Sequence, residues 1–173
     1  MAILLLCIAA IAACDNGYDC ELNNTSYNNI GFYTIEDGKE QPYAYSAPLS
    51  VSLMINGEDR VMINHITDAG EVQLPMSYTQ DCDTVVFHYE DNLCDSLYID
   101  HTNNPYYQSM ECGTLMFHQI EGVKHTNMWI EKATIENKNV NFEGNENIKI
   151  YFYKKYIAIP ASYCTRTGTE RNR

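Results

Sequence analysis

Basic residues are scarce in this chain: 11 lysines and arginines stand against 23 aspartates and glutamates, a formal charge of −12. A body of that sign repels phosphate backbones, which argues against nucleic acid as a partner. No apolar run reaches the roughly 20 residues that a membrane-crossing helix needs. No segment sustains an apolar period of 3.6 over three turns with caps, so little helix is expected. The spacings that carry chemistry are missing too. There is no CxxC, HxH or HExxH pair for metal or thiol redox work, no GxSxG or SxxK for a hydroxyl nucleophile, and no glycine-rich phosphate loop. The five histidines, His65, His88, His101, His118 and His125, fall one per segment. The sequence therefore points to no catalytic residue, no metal site and no cofactor.

What is present begins at the N-terminus. Residues 1–13 carry no charge, and Ile11-Ala12-Ala13-Cys14 ends the run with small side chains directly before a cysteine. A run of this length has the size of a signal-peptide core, and small residues before the cut suit a secretory peptidase. The tetrad resembles the bacterial lipobox, although no Lys or Arg precedes the apolar run. That resemblance implies removal of residues 1–13, lipid attachment at Cys14 and a membrane partner reached through the acyl chains. Each buried methylene contributes roughly 0.8 kcal/mol, and two or more chains hold a protein where one does not. The expected location is the cell envelope, at the outer membrane in a Gram-negative source, facing either periplasm or surface.

After the leader, an acidic and Asn-rich tether is expected over 14–29, a β-rich domain over 30–160, and a basic, disordered tail over 161–173. Residues 15–153 hold 22 acids and 6 bases, and residues 154–173 hold 5 bases and 1 acid. Five cysteines lie beyond Cys14: Cys20, Cys82, Cys94, Cys112 and Cys164. A hairpin of Val85–Tyr89 with Leu97–Asp100 sets Cys82 near His101 and Cys94 near Tyr89, on the order of 20 Å apart and beyond disulfide reach. The favoured link is Cys20 with Cys112, which would staple the tether to the middle of the sheet. Closing so long a loop stabilises by roughly 4 kcal/mol where geometry is unstrained. The pairing of Cys82, Cys94 and Cys164 stays open.

From Ile30 onwards, short alternating or β-branched runs are separated by turn residues every 8–15 positions or so. Ser50–Ile55 and Arg60–Thr67 flank Asn56-Gly57, the strongest hairpin signal in the chain. Pro75 makes Glu71–Ser77 an edge or a strand end. Asp83–Glu90 and Ser96–Asp100 form a second hairpin, and Thr114–Ile120, Met128–Asn137, Asn147–Tyr153 and Ile157–Ile159 supply further strands. The pattern predicts a single all-β domain, an antiparallel β-sandwich, with a lipocalin-like barrel carrying a small apolar ligand as the alternative. Fourteen tyrosines are the other resource. Tyr43, Tyr45, Tyr78, Tyr106 and Tyr107 are read in or near loops. Tyr106 and Tyr107 are the candidate binding surface, since exposed aromatics stack on sugars or pack on partner proteins.

Several segments together resemble a family of small, uncharacterised lipoproteins of Bacteroidetes-type bacteria. They are Asp19-Cys20, Ala47-Pro48-Leu49-Ser50, Asp83-Thr84, Ser109-Met110-Glu111-Cys112-Gly113 and Glu146-Asn147-Ile148-Lys149-Ile150-Tyr151-Phe152. The resemblance spans residues 14–153 and implies the envelope location and the Cys20–Cys112 link, but it brings no activity. Asp95-Ser96-Leu97 also resembles the Asp-Ser/Thr-apolar glycosylation signal of such bacteria, which makes Ser96 the candidate O-glycosylation site. The reading at this stage is a lipid-anchored, non-enzymatic binding or structural accessory whose partner is an envelope protein or a glycan.

Overall fold

The computed structural model describes residues 26–110 and 112–154. The leader, Cys14, Cys20, most of the tether, Ile157–Ile159 and the basic tail lie outside the described residues. Among the described residues, eleven strands follow in order: β1 (Tyr27–Glu36), β2 (Lys39–Pro42), β3 (Leu49–Ile55), β4 (Glu58–Ile66), β5 (Glu71–Pro75), β6 (Cys82–His88), β7 (Cys94–Ser109), β8 (Gly113–His125), β9 (Ile130–Ile135), β10 (Asn139–Val140) and β11 (Glu146–Phe152). One 3-10 turn, Glu90–Asn92, links β6 to β7.

The strands form two sheets. The six-stranded sheet runs β10-β8-β7-β6-β3-β4, and the five-stranded sheet runs β2-β1-β11-β9 with β5 also paired to β1. Among the described residues neither sheet closes on itself, so the fold is an all-β sandwich and the barrel alternative falls away. The reason lies in the interior. Phe32 of β1 packs edge-on against Phe152 of β11 at 5.2 Å and against Phe87 of β6 at 6.1 Å, bridging the sheets with aromatic bulk. Ile30, Leu49, Val51, Leu97, Ile120, Ile130, Ile148 and Ile150 are all essentially inaccessible around them. Interdigitated side chains occupy the space that a carrier would keep open.

Local chemistry explains the elements. The β3–β4 turn places Asn56 at φ 54° and Gly57 at φ 80°, the two left-handed positions of a tight hairpin that matches strand twist. Asp37-Gly38 repeats this device between β1 and β2, at φ 50° and 73°. The β6–β7 register opposes Cys82 to Asp100 and Cys94 to His88. The two cysteines therefore sit at opposite ends of the ladder, one residue from the expected alignment. Pro75 ends β5, whose ladder partner is β1.

Three readings change. Tyr106 and Tyr107 lie within β7, opposite Leu115 and Thr114 of β8, rather than in a loop. Pro105, which lacks an N–H, masked this long strand in the sequence. β1 starts at Tyr27, inside the segment read as tether. The strand read over Met128–Asn137 is confined to Ile130–Ile135 and carries a bulge, where Phe152 opposes Ile130 and Tyr151 opposes Lys132. The extra residue lets Ile130 point inward and brings Ala133 and Ile135 against the same core.

The sheets are tied by a buried carboxylate. Asp95, on β7, is fully inaccessible. It accepts the backbone N–H groups of Met128 at 2.7 Å, Trp129 at 2.7 Å and Ile130 at 3.0 Å. The Thr126 hydroxyl donates to it at 2.7 Å and the Tyr89 hydroxyl at 3.2 Å. One side chain thus fixes the chain where it leaves the six-stranded sheet and starts β9 in the other. Burial, then the neighbouring carboxylate, holds the Tyr89 hydroxyl well above the ordinary phenol range. Asp95→Ala strands three buried donors, and urea unfolding should record a loss of about 3 kcal/mol or more. Asp95→Asn, which keeps one acceptor oxygen, should lose less. A loss below about 1 kcal/mol for the alanine variant would contradict the role.

Candidate functional site

Two groupings of polar and aromatic side chains stand out, one on the outer face and one inside. The outer one is built on the long β7–β8 hairpin. Its register opposes Asn104 to Phe117 and Tyr106 to Leu115, so Tyr106 and Phe117 are diagonal neighbours on the solvent face. Their rings stack with centroids 4.9 Å apart and planes 19° from parallel. Phe142, in the turn after β10, meets Phe117 edge-on at 4.9 Å and 80°. Together with Asn141 and Glu143, these rings line a shallow cleft of about 350 Å³ that is wide open to solvent. Tyr106 is 46% exposed and Tyr107 57%, so both reach solvent. Tyr107 belongs to the same strand, whereas the cleft wall is made by Tyr106, Phe117 and Phe142.

Turn chemistry orders the rim of this cleft. The Asn141 side-chain oxygen accepts the Glu143 N–H at 2.9 Å, an Asx turn. The Asn145 amide donates to Glu143 Oε2 at 2.9 Å, which orients that carboxylate. The result is a fixed apolar wall beside an amide and a carboxylate. Such a surface can stack on a flat ligand face and exchange hydrogen bonds with its edge.

The inner grouping sits at one end of the core. His101 and His118 are both nearly inaccessible, with ring centroids 5.3 Å apart and planes at 85°. His101 Nε2 lies 3.1 Å from Asp83 Oδ2, the oxygen that also accepts the Ser77 N–H at 2.9 Å. His118 Nδ1 and Asn103 Oδ1 are 2.7 Å apart, and Asn103 in turn donates to the Gln80 carbonyl at 2.9 Å. The Tyr78 ring stacks over His118 at 5.8 Å. Asp83, Ser77 and Gln80 also border a cavity of about 210 Å³ under Leu53 and Pro75. Scattered histidines thus come together as a pair. The sequence hid this because a bulge between Asp100 and His101 shifts the β7–β8 register. Among the described residues, no three His, Cys, Asp or Glu side chains are placed to hold a metal ion.

Ser96 is half-buried near the start of β7, opposite Val86, and its neighbour Asp95 is the inter-sheet anchor. Cys82 is the free cysteine among the described residues. Burial, then Asp100, pushes its thiol up to about 11, which favours the protonated form at neutral pH. Cys94 and Cys112 are not free thiols; the Cys20 end of the expected link lies outside the described residues. Among the described residues, no helix is long and apolar enough to cross a membrane.

A family of unknown function, DUF6452, matches residues 49–152, more than half of the chain, and the protein belongs to that family. The matched span contains the β7–β8 hairpin, the Asp95 anchor, the histidine pair and the aromatic cleft. No curated protein and no solved structure matches the chain.

Desolvation by burial, reinforced by neighbouring His101, lowers the His118 pKa from 6.5 to about 4. A base with a depressed folded pKa contributes stability above its unfolded value, and that stability is lost as pH falls toward the folded one. Unfolding measurements should therefore show stability declining from about pH 6.5 to about pH 4, by up to roughly 3 kcal/mol from this ring. His118→Gln should flatten that decline; an unchanged pH dependence would contradict the assignment.

Proposed function

We propose that the mature protein starts at a lipid-modified Cys14, is held in the cell envelope through that lipid, and acts as a non-enzymatic binding or structural accessory for an envelope protein or a glycan. The anchoring half of this reading is supported by Ile11-Ala12-Ala13-Cys14 at the end of an uncharged leader. The binding half is supported by one observation above all: the aromatic wall of Tyr106, Phe117 and Phe142 faces outward, while the interior is filled with packed side chains. A protein built this way meets its partner on its surface. The acidic body keeps it soluble and disfavours polyanions. In a Gram-negative source the membrane is the outer one.

The tether is the second element of the proposal. A Cys20–Cys112 bond would fasten the segment after the anchor to the β7–β8 turn, close to the aromatic cleft in sequence and in register. An oxidising compartment outside the cytoplasm permits such a bond. Fractionation tests the anchor: Cys14→Ser should move the protein from the membrane to the soluble fraction, and unchanged membrane retention would refute attachment there. Peptide mapping without reductant tests the staple. It should recover Cys20 joined to Cys112, and two alkylated thiols at these positions would remove it.

A further inference from the structure

The geometry points to a neutral saccharide as the ligand of the Tyr106–Phe117–Phe142 cleft. This rests on the binding-accessory reading and commits it to one ligand class. Phe117 is clamped between the parallel Tyr106 ring at 4.9 Å and the edge of Phe142 at 4.9 Å, so the aromatic surface is set before any ligand arrives. Tyr106 remains 46% exposed on top of that support. A pyranose ring has a flat C–H face that packs on such an aromatic, and it carries hydroxyls around its edge that both donate and accept.

The rim supplies the matching groups. Asn141 uses its side-chain oxygen on the Glu143 N–H, which leaves its amide N–H₂ to donate. Glu143 uses Oε2 on Asn145, which leaves Oε1 to accept. An amide donor and a carboxylate acceptor beside a stacking wall serve hydroxyls on adjacent sugar carbons. A purely apolar ligand would desolvate both groups without replacing their hydrogen bonds. Charge narrows the class further. The carboxylate rim and the chain's net charge of −12 repel uronic acids, sialic acids and phosphorylated sugars. What fits is an uncharged hexose or N-acetylhexosamine within a longer glycan.

The test uses the mature chain on an array that carries neutral and acidic oligosaccharides, followed by calorimetric titration with the neutral oligosaccharide that binds best. Binding should appear on neutral glycans only. Tyr106→Ala should weaken it by about tenfold or more, the size expected for losing a stacking platform. Asn141→Ala should weaken it as well, while Tyr98→Ala, which removes another exposed tyrosine of β7, should leave it unchanged. Urea unfolding midpoints of all three variants separate a lost contact from a lost fold. An empty array, binding confined to acidic glycans, or affinity unchanged in folded Tyr106→Ala would each overturn the saccharide assignment. A photo-crosslinking amino acid at Asn104, exposed on the same strand face as Tyr106 and opposite Phe117, distinguishes the two levels of the reading. Crosslinks to an envelope protein with an empty array would overturn the saccharide and leave the accessory role standing. Neither crosslinks nor glycan binding would remove both.

Discussion

A carboxylate with no access to water needs every lone pair answered, and Asp95 has that answer only where two sheets meet. Its oxygens take three consecutive-chain N–H groups from Met128, Trp129 and Ile130 and two hydroxyls, one from Thr126 and one from Tyr89. The Thr126 hydroxyl also accepts the Ser96 N–H at 2.8 Å, so the clasp reaches back into β7 itself. A second clasp works nearby in the chain. Buried Asn147 of β11 accepts from Asn29 N–H and donates to the Asn137 and Asn139 carbonyls at 3.1 and 2.8 Å. Sheet packing by itself is tolerant of sliding; these polar ties set the position of β9 and β10 relative to the β7–β8 hairpin. The aromatic cleft inherits its shape from that, since Phe142 stands directly after β10.

The outer face of the five-stranded sheet shows the same economy in a solvated setting. Lys149 lies 2.7 Å from Glu40 and 4.8 Å from the centroid of the Tyr33 ring. Its hydrogen bond to Glu40 raises the ammonium pKa and lowers that of the carboxylate. Tyr33 donates to Glu146 at 2.8 Å, and burial together with that carboxylate pushes its hydroxyl up to about 12. Gly31 leaves the room for this: a Cβ there would collide with the Glu146 carboxylate. In a chain with few cations, one lysine organises a patch of acids that would otherwise repel one another.

Much of the fold was legible in the residues. Asn56-Gly57 located the β3–β4 hairpin, and apolar runs placed β6, β11 and the first part of β7. The β6–β7 register was misjudged by a single residue. What stayed hidden has identifiable causes. The parallel pairing of β1 with β11 joins Ile30 to Ile148 across most of the chain, and no local signal encodes it. Asp37-Gly38 marks the β1–β2 turn, but Lys39–Pro42 is polar throughout and does not look like a strand. A bulge between Asp100 and His101, which leaves Glu121 unpaired, shifts the β7–β8 register and concealed the His101–His118 encounter. For the binding surface, tyrosine content directed attention to Tyr106 and Tyr107. Phe117 and Phe142 escaped, because their meeting with Tyr106 depends on the β7–β8 pairing and on the turn after β10.

In the proposed envelope role, the surface cleft and the filled interior serve contact with a partner, and the leader ending at Cys14 sets where that contact takes place. Intact-mass analysis of the protein extracted from its native membranes tests this joint account most directly. The predicted result is a chain that begins at Cys14 and carries the mass of a diacylglyceryl group with added acyl chains. A chain that retains residues 1–13 and bears no acyl mass would contradict it.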